Sequence, residues 1–189
     1  MSTAKGSARR TAILDAAERT LVTGGHGALS LRAVAEAAGV RLGHLQYYFP
    51  SRDQLVAELL ARVLHRSLDQ LGAESAATEA DPERLVAMLL AQHQDGELVR
   101  LFVELWALAA RDEAVAAAVR AFYADYGRLV AGQIGGWRPE LPVAECLARA
   151  EAFVALIEGA SLFRSGVAGR ASAGTDGQLL SAARLLLLG

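Results

Sequence analysis

From Ser30 to Pro50 the chain cannot sustain a helix for longer than about two turns at a time. Leu31, Val34, Ala35 and Ala38 repeat at the spacing of one helix face, Ser30 stands where an N-cap oxygen belongs, and Gly39 ends the run. A second segment opens at Arg41 and closes at Phe49, because Pro50 drives the residue before it out of the helical region. Ser51, Asp53 and Gln54 then supply the capping pattern of a new and longer helix. Two short helices joined by a glycine turn and flanked by longer ones describe a helix-turn-helix unit. In such a unit Ala35, Gly39, Val40 and Leu45 are the small contact, the turn and the core anchors.

The remaining periodicity is helical throughout. Ile13, Leu14, Ala17, Leu21 and Val22 predict a first helix over 8–23, with Gly24-Gly25 as its stop. A long fourth helix is predicted from Ser51 through Leu71, fraying between Gly72 and Glu79. Asp81-Pro82 starts another, running to about Gln94 and broken by Asp95-Gly96. Leu98, Leu101, Phe102, Leu105 and Trp106 occupy more than one face, so their helix is predicted to be central. Asp112 restarts a helix that Gly135-Gly136 ends, and 143–165 and 177–188 are the last two, separated by a Gly/Ser/Ala-rich stretch, 166–176, that reads as a flexible loop. With aromatics at 6% and Ala, Leu, Arg and Glu dominant, the expectation is an all-α chain of about nine helices: a three-helix head over 1–52 and a helical body over 53–189.

Several classes of function are excluded on composition. No window reaches the roughly 18 apolar residues of a membrane span, since Glu104, Arg111, Glu151 and Glu158 interrupt the best candidates. The single cysteine, Cys146, reads as an apolar filler and allows no internal disulfide; with no signal-like segment, a cytoplasmic location is expected. His26, His44, His65 and His93 are dispersed, with no Glu or Cys at ligand spacing, so neither a metal centre, a cofactor nor a catalytic cluster is expected.

The net charge of −2 is unevenly spread: residues 1–66 hold nine basic and five acidic side chains, a balance of +4, and the remainder carries −6. A basic head on an acidic body suits a nucleic-acid contact at one end. The outward positions of the second short helix are Arg41, Leu42, His44, Gln46, Tyr47 and Tyr48. Arginine bonds guanine or phosphate, glutamine reads adenine, and tyrosine hydroxyls anchor phosphates. A helical hairpin whose tyrosines merely cover a core remains open on these residues alone.

The run from Leu31 to Leu55 resembles the DNA-binding signature of the TetR family of transcriptional regulators, with Val34-Ala35, Ala38-Gly39-Val40, Gly43, Leu45, Tyr47-Tyr48-Phe49, Ser51 and Leu55 at its fixed spacing. The resemblance implies phosphate contacts from Ser30 and Arg32, and a base-facing start to the recognition helix at Arg41, Leu42, Gly43 and His44. It also implies backbone clamping by Tyr47 and Tyr48, and a cation, Arg52, in place of the usual lysine. Arg41 stands where members often have serine, and Gln46 where they usually have tyrosine.

For the body, Cys146, Leu147, Ala150, Phe153, Val154, Ile157, Ala160 and Ser161, with Leu179, Leu180, Ala183 and 185–188, offer more apolar surface than one protomer needs, which points to a homodimer. The resemblance further implies a cavity for a small apolar effector among the middle helices, lined by Phe102, Trp106, Phe122, Tyr123, Tyr126 and Phe163, with Glu104, Arg120 or Glu158 as its polar handle. The expected function is therefore that of a DNA-binding regulator, most simply a repressor on a palindromic double-stranded operator. The alternative is a helical ligand-binding or interaction protein that keeps the architecture without operator binding.

Overall fold

The computed structural model describes residues 4–77, 81–92 and 96–189. Among them stand nine helices and no strand: α1 (Ala4–Ala28), α2 (Leu31–Ala37), α3 (Leu42–Tyr48), α4 (Arg52–Ala77), α5 (Pro82–Gln92), α6 (Gly96–Ala109), α7 (Glu113–Trp137), α8 (Val143–Arg164) and α9 (Ala173–Leu188). The all-α expectation is met. His93, Gln94 and Asp95, together with 78–80 at the end of the predicted fraying region, lie outside the described residues. None of the described helices is long and apolar enough to cross a membrane.

The helices begin where side-chain oxygens can take up the unpaired N–H groups of a first turn. Ser30 Oγ accepts from Ala33 N–H at 3.1 Å and Ser51 Oγ from Gln54 N–H at 3.2 Å. Asp81 Oδ1 accepts from Glu83 and Arg84, and Asp112 Oδ1 from Ala114 and Val115.

The chain divides into two compact units, Met1–Leu64 with Arg100–Val119, and His65–Val99 with Arg120–Gly189. In the first, α1 packs on α2 and α2 on α3. Ile13, Leu21, Val34, Leu45, Phe49 and Leu55 close its core, each such side chain contributing about 1.5–3 kcal/mol when withdrawn from water. The end of α1 differs from the expectation. The helix runs through Gly24 and breaks only at Gly25, whose φ of 69° and ψ of 178° are reserved almost entirely for glycine, and one more turn follows to Ala28.

In the second unit α8 packs on α9 and α5, and α5 on α9. This corrects the reading of the apolar face of α8. Cys146, Ala150, Phe153, Val154, Ile157, Ala160 and Ser161 are buried within the chain itself and are not left for a partner. The large apolar side chains that stay exposed in this unit are Val143, Phe163, Val167, Leu180 and Leu185. Cys146 is a free, buried thiol, as the filler reading requires.

The stretch 166–176 is also more ordered than its composition suggests. Ser165 and Arg170 form an isolated antiparallel bridge, and Ser172 Oγ accepts from Thr175 N–H at 3.2 Å, so α9 starts at Ala173 and not at 177. Asp176 in that first turn pairs with the buried Arg164 at the end of α8. A buried cation requires such a partner.

Two substitutions separate these contributions. Phe153→Ala is expected to lower unfolding free energy by about 3–5 kcal/mol through the cavity it leaves. Ser172→Ala is expected to cost about 1 kcal/mol through the lost cap. Chemical denaturation followed by circular dichroism measures both.

Candidate nucleic-acid interface

The turn between α2 and α3 is built from backbone. Ala38 N–H donates to Val34 O, Gly39 N–H to Glu36 O and Val40 N–H to Ala35 O, which carries the chain round through Gly39 at φ +63°. No atom lies within 4 Å of where a Cβ at Gly39 would sit, so the glycine is needed for its left-handed backbone and not for space. Arg41 then serves as the N-cap of α3 through its carbonyl, which accepts from His44 and Leu45, and its side chain makes no cap bond.

The inner face of α3 is held by Leu45, with Phe49 just beyond its end; both are fully buried, and the Arg10 guanidinium lies 5.3 Å above the Phe49 ring. That leaves the other side chains outside. Arg41, Gly43, His44, Gln46 and Tyr47 are exposed, and Leu42 and Tyr48 are half-buried. Tyr47 is 82% exposed, an unusual position for an aromatic ring with nothing to cover. It meets Tyr48 edge-on at 5.2 Å, while His44 stacks on Tyr48 at 5.5 Å, so the three rings form one outward cluster.

Ser30 and Arg32 are exposed at the start of α2. Because Ser30 Oγ already accepts from Ala33, its hydroxyl proton is the group left to donate outward. Arg10 pairs with Glu58 and Arg62 with Asp15, whereas Arg9, Arg19, Arg32 and Arg41 make no ion pair among the described residues. The positive charge of the head is thus carried by side chains the fold does not neutralise.

Arg52 is placed differently from the other members of the set. Its Nε donates to Leu29 O at 2.7 Å and its Nη2 to the His26 ring at 2.8 Å and to His26 O at 3.2 Å. The guanidinium is committed to tying the start of α4 to the end of α1. Sequence reasoning also missed the role of Glu104, whose Oε2 accepts from His26 N–H at 2.8 Å. The doubled glycine at 24–25 signalled a break there, but nothing local names the acceptor 78 residues away.

The family model described as bacterial regulatory proteins of the tetR family matches residues 13–59, which span this interface. An uncharacterized HTH-type transcriptional regulator in the dhlA 5′ region of Xanthobacter autotrophicus is 32% identical over 136 residues, covering 69% of this chain and 67% of the relative. The chain belongs to the TetR family of transcriptional regulators. The HTH-type transcriptional repressor KstR of Rhodococcus jostii is 47% identical over 58 residues, covering 31% of this chain and 27% of that one. In fold, a transcriptional regulator from Saccharomonospora viridis, solved in complex with choline, superposes with a TM-score of 0.77 at 19% identity, covering 93% of this chain and 95% of that one. As a TetR-family member the chain is a regulator and not an enzyme.

The side chains expected around an effector fall in two groups. Phe102 and Trp106 stand on α6 in the first unit, their ring centres 6.3 Å apart. In the second unit Phe122 meets Tyr123 at 5.0 Å and Tyr126 at 6.3 Å, and Tyr123 hydrogen-bonds to Glu158. Phe163 is exposed near the end of α8. Burial pushes the Glu158 carboxyl up to about 7, against the opposing pull of the Tyr123 hydrogen bond.

Folded chain therefore holds the Glu158 proton at pH values where unfolded chain has lost it, and stability falls as pH rises from about 4.5 to about 7. Glu158→Gln is expected to flatten that decline in a series of melting midpoints taken between pH 5 and 8. Tyr47→Ala, at an 82% exposed position, is expected to leave stability within about 0.5 kcal/mol of wild type.

Proposed function

We propose that the chain is a ligand-released repressor that binds a palindromic operator as a homodimer, with residues 1–52 as the DNA-binding head and 53–189 as the effector-binding and dimerisation body. The observation that carries the DNA contact is the outward cluster on α3, in which an 82% exposed Tyr47 stands with His44, Tyr48 and the unpaired Arg41 on a helix anchored from behind by Leu45. Arg41, Leu42, Gly43, His44 and Gln46 face base edges in the major groove, and Ser30, Arg32, Tyr47 and Tyr48 take phosphates. Arg52 acts from behind by fixing where the helices start, and α4's N-terminus beside it favours an anion.

Repression is supported by the repressor that matches over the head. Dimerisation is supported by the apolar side chains left exposed on and beside α8 and α9, Phe163, Val167, Leu180 and Leu185, which a second copy would withdraw from water. One seven-residue recognition helix reads too few base pairs to specify a site, and two related by a dyad read half-sites about 34–36 Å apart. For the effector, a small apolar molecule, Phe122, Tyr123 and Tyr126 of the second unit offer ring surface and Glu158 the polar handle, with Phe163 at the margin; Phe102 and Trp106 form a separate ring pair in the first unit. The choline complex of the Saccharomonospora viridis regulator is in keeping with a small-molecule site in this fold.

The test is affinity for a duplex that the wild-type chain selects from a random-sequence pool. Tyr47→Phe is expected to weaken binding by about 1 kcal/mol, and affinity should fall steeply with salt as displaced counterions return. Wild-type affinity and sequence preference in the Arg41→Ala, Tyr47→Ala double variant would overturn the assignment. Leu185→Glu with Phe163→Glu is expected to yield a folded monomer in sedimentation, where the unsubstituted chain sediments as a dimer.

A further inference from the structure

The end of α1 is held from both sides by residues that the DNA contact does not use. At Gly25 the helix breaks into a conformation, φ 69° and ψ 178°, that glycine adopts and other residues rarely do. The break removes His26 N–H from the helical ladder, and the carboxylate of Glu104, on α6, supplies the missing acceptor at 2.8 Å. A Cβ on Gly25 would lie 3.1 Å from Glu104 Oε1, so the absence of a side chain is also what lets the carboxylate approach. On the other side Arg52 bonds the carbonyls of His26 and Leu29 and the His26 ring, and Arg52 is the first residue of α4. His26 is therefore clamped at its N–H by α6, and at its carbonyl and ring by α4. Helices α2 and α3 are suspended between the two anchored ends, Leu29 and Arg52.

We propose that Glu104 is a positioning residue for DNA binding: by holding the kinked end of α1 it fixes, through His26 and Arg52, the pose in which α3 is presented. In this role Glu104 acts through the backbone of His26 and not by touching DNA. A carboxylate is suited to the task because a charged acceptor makes a shorter and stronger bond to a backbone N–H than a neutral one. The inference rests on reading the chain as a DNA-binding regulator.

The experiment compares full-length wild type, Glu104→Ala and Glu104→Gln on the duplex selected by wild type, alongside hydrogen exchange at the His26 amide and thermal unfolding. Glu104→Ala is expected to lose about tenfold in affinity, the scale of one charge-assisted hydrogen bond, with its melting midpoint at the wild-type value and faster exchange at His26. Glu104→Gln keeps an acceptor oxygen and is expected to recover affinity to within about threefold of wild type. Unchanged affinity in Glu104→Ala would overturn the proposal. So would equal losses in both variants accompanied by lowered midpoints, the mark of a plain packing role. If wild type selects no duplex, the DNA-binding reading falls. Exchange then decides the latch, supported by faster His26 exchange in Glu104→Ala alone and overturned by no change.

Discussion

A single guanidinium closes the base of the recognition segment. Arg52 donates to the carbonyl of Leu29, 23 residues earlier, so the chain that forms α2, the turn and α3 leaves and returns at one place. Helices as short as these are not stable by themselves, since isolated helices under about 12–15 residues are marginal in water. Their geometry comes from that closure and from Val34, Leu45 and Phe49 reaching the core. The surface that would meet DNA is then what is left over once those few inner positions are satisfied.

The same economy governs charge. Arg10, Arg62 and Arg164 are paired with carboxylates, and Arg52 is spent on carbonyls and an imidazole. What the fold does not consume, Arg9, Arg19, Arg32 and Arg41, remains on the head, where long-range attraction to a phosphate backbone can act before any base is touched. These are the exposed part of the +4 excess that residues 1–66 carry in the sequence.

What could be read from the sequence divides along the range of the interactions. Ser30, Gly39, Pro50, Ser51, Asp81 and Asp112 act within four residues of themselves, and the helix starts and the α2–α3 turn follow from them directly. The family signature added the outward face of α3. Ser172 acts equally locally, but the small residues around it suggested a loop and masked its capping role. The apolar period of α8 marked Phe153 and Ile157 for burial without showing that the chain itself would bury them, with α9 and α5 packed beside α8. Glu104 was legible as a carboxylate on a central helix, and only the folded chain shows it accepting from a backbone N–H.

The sealed position of Cys146 has a practical side. It is the only cysteine in the chain, it is 4% exposed, and its sulfur lies against Gly135 of α7. Thiol reagents act on exposed thiolates, so the native sulfur stays silent in the folded protein. A cysteine introduced on the outer surface of α3 would thus be the one group to take up a spin label or fluorophore, with no need to remove the native residue. Distances between two such probes across an assembly would report directly how far apart the recognition helices stand, with and without a bound small molecule.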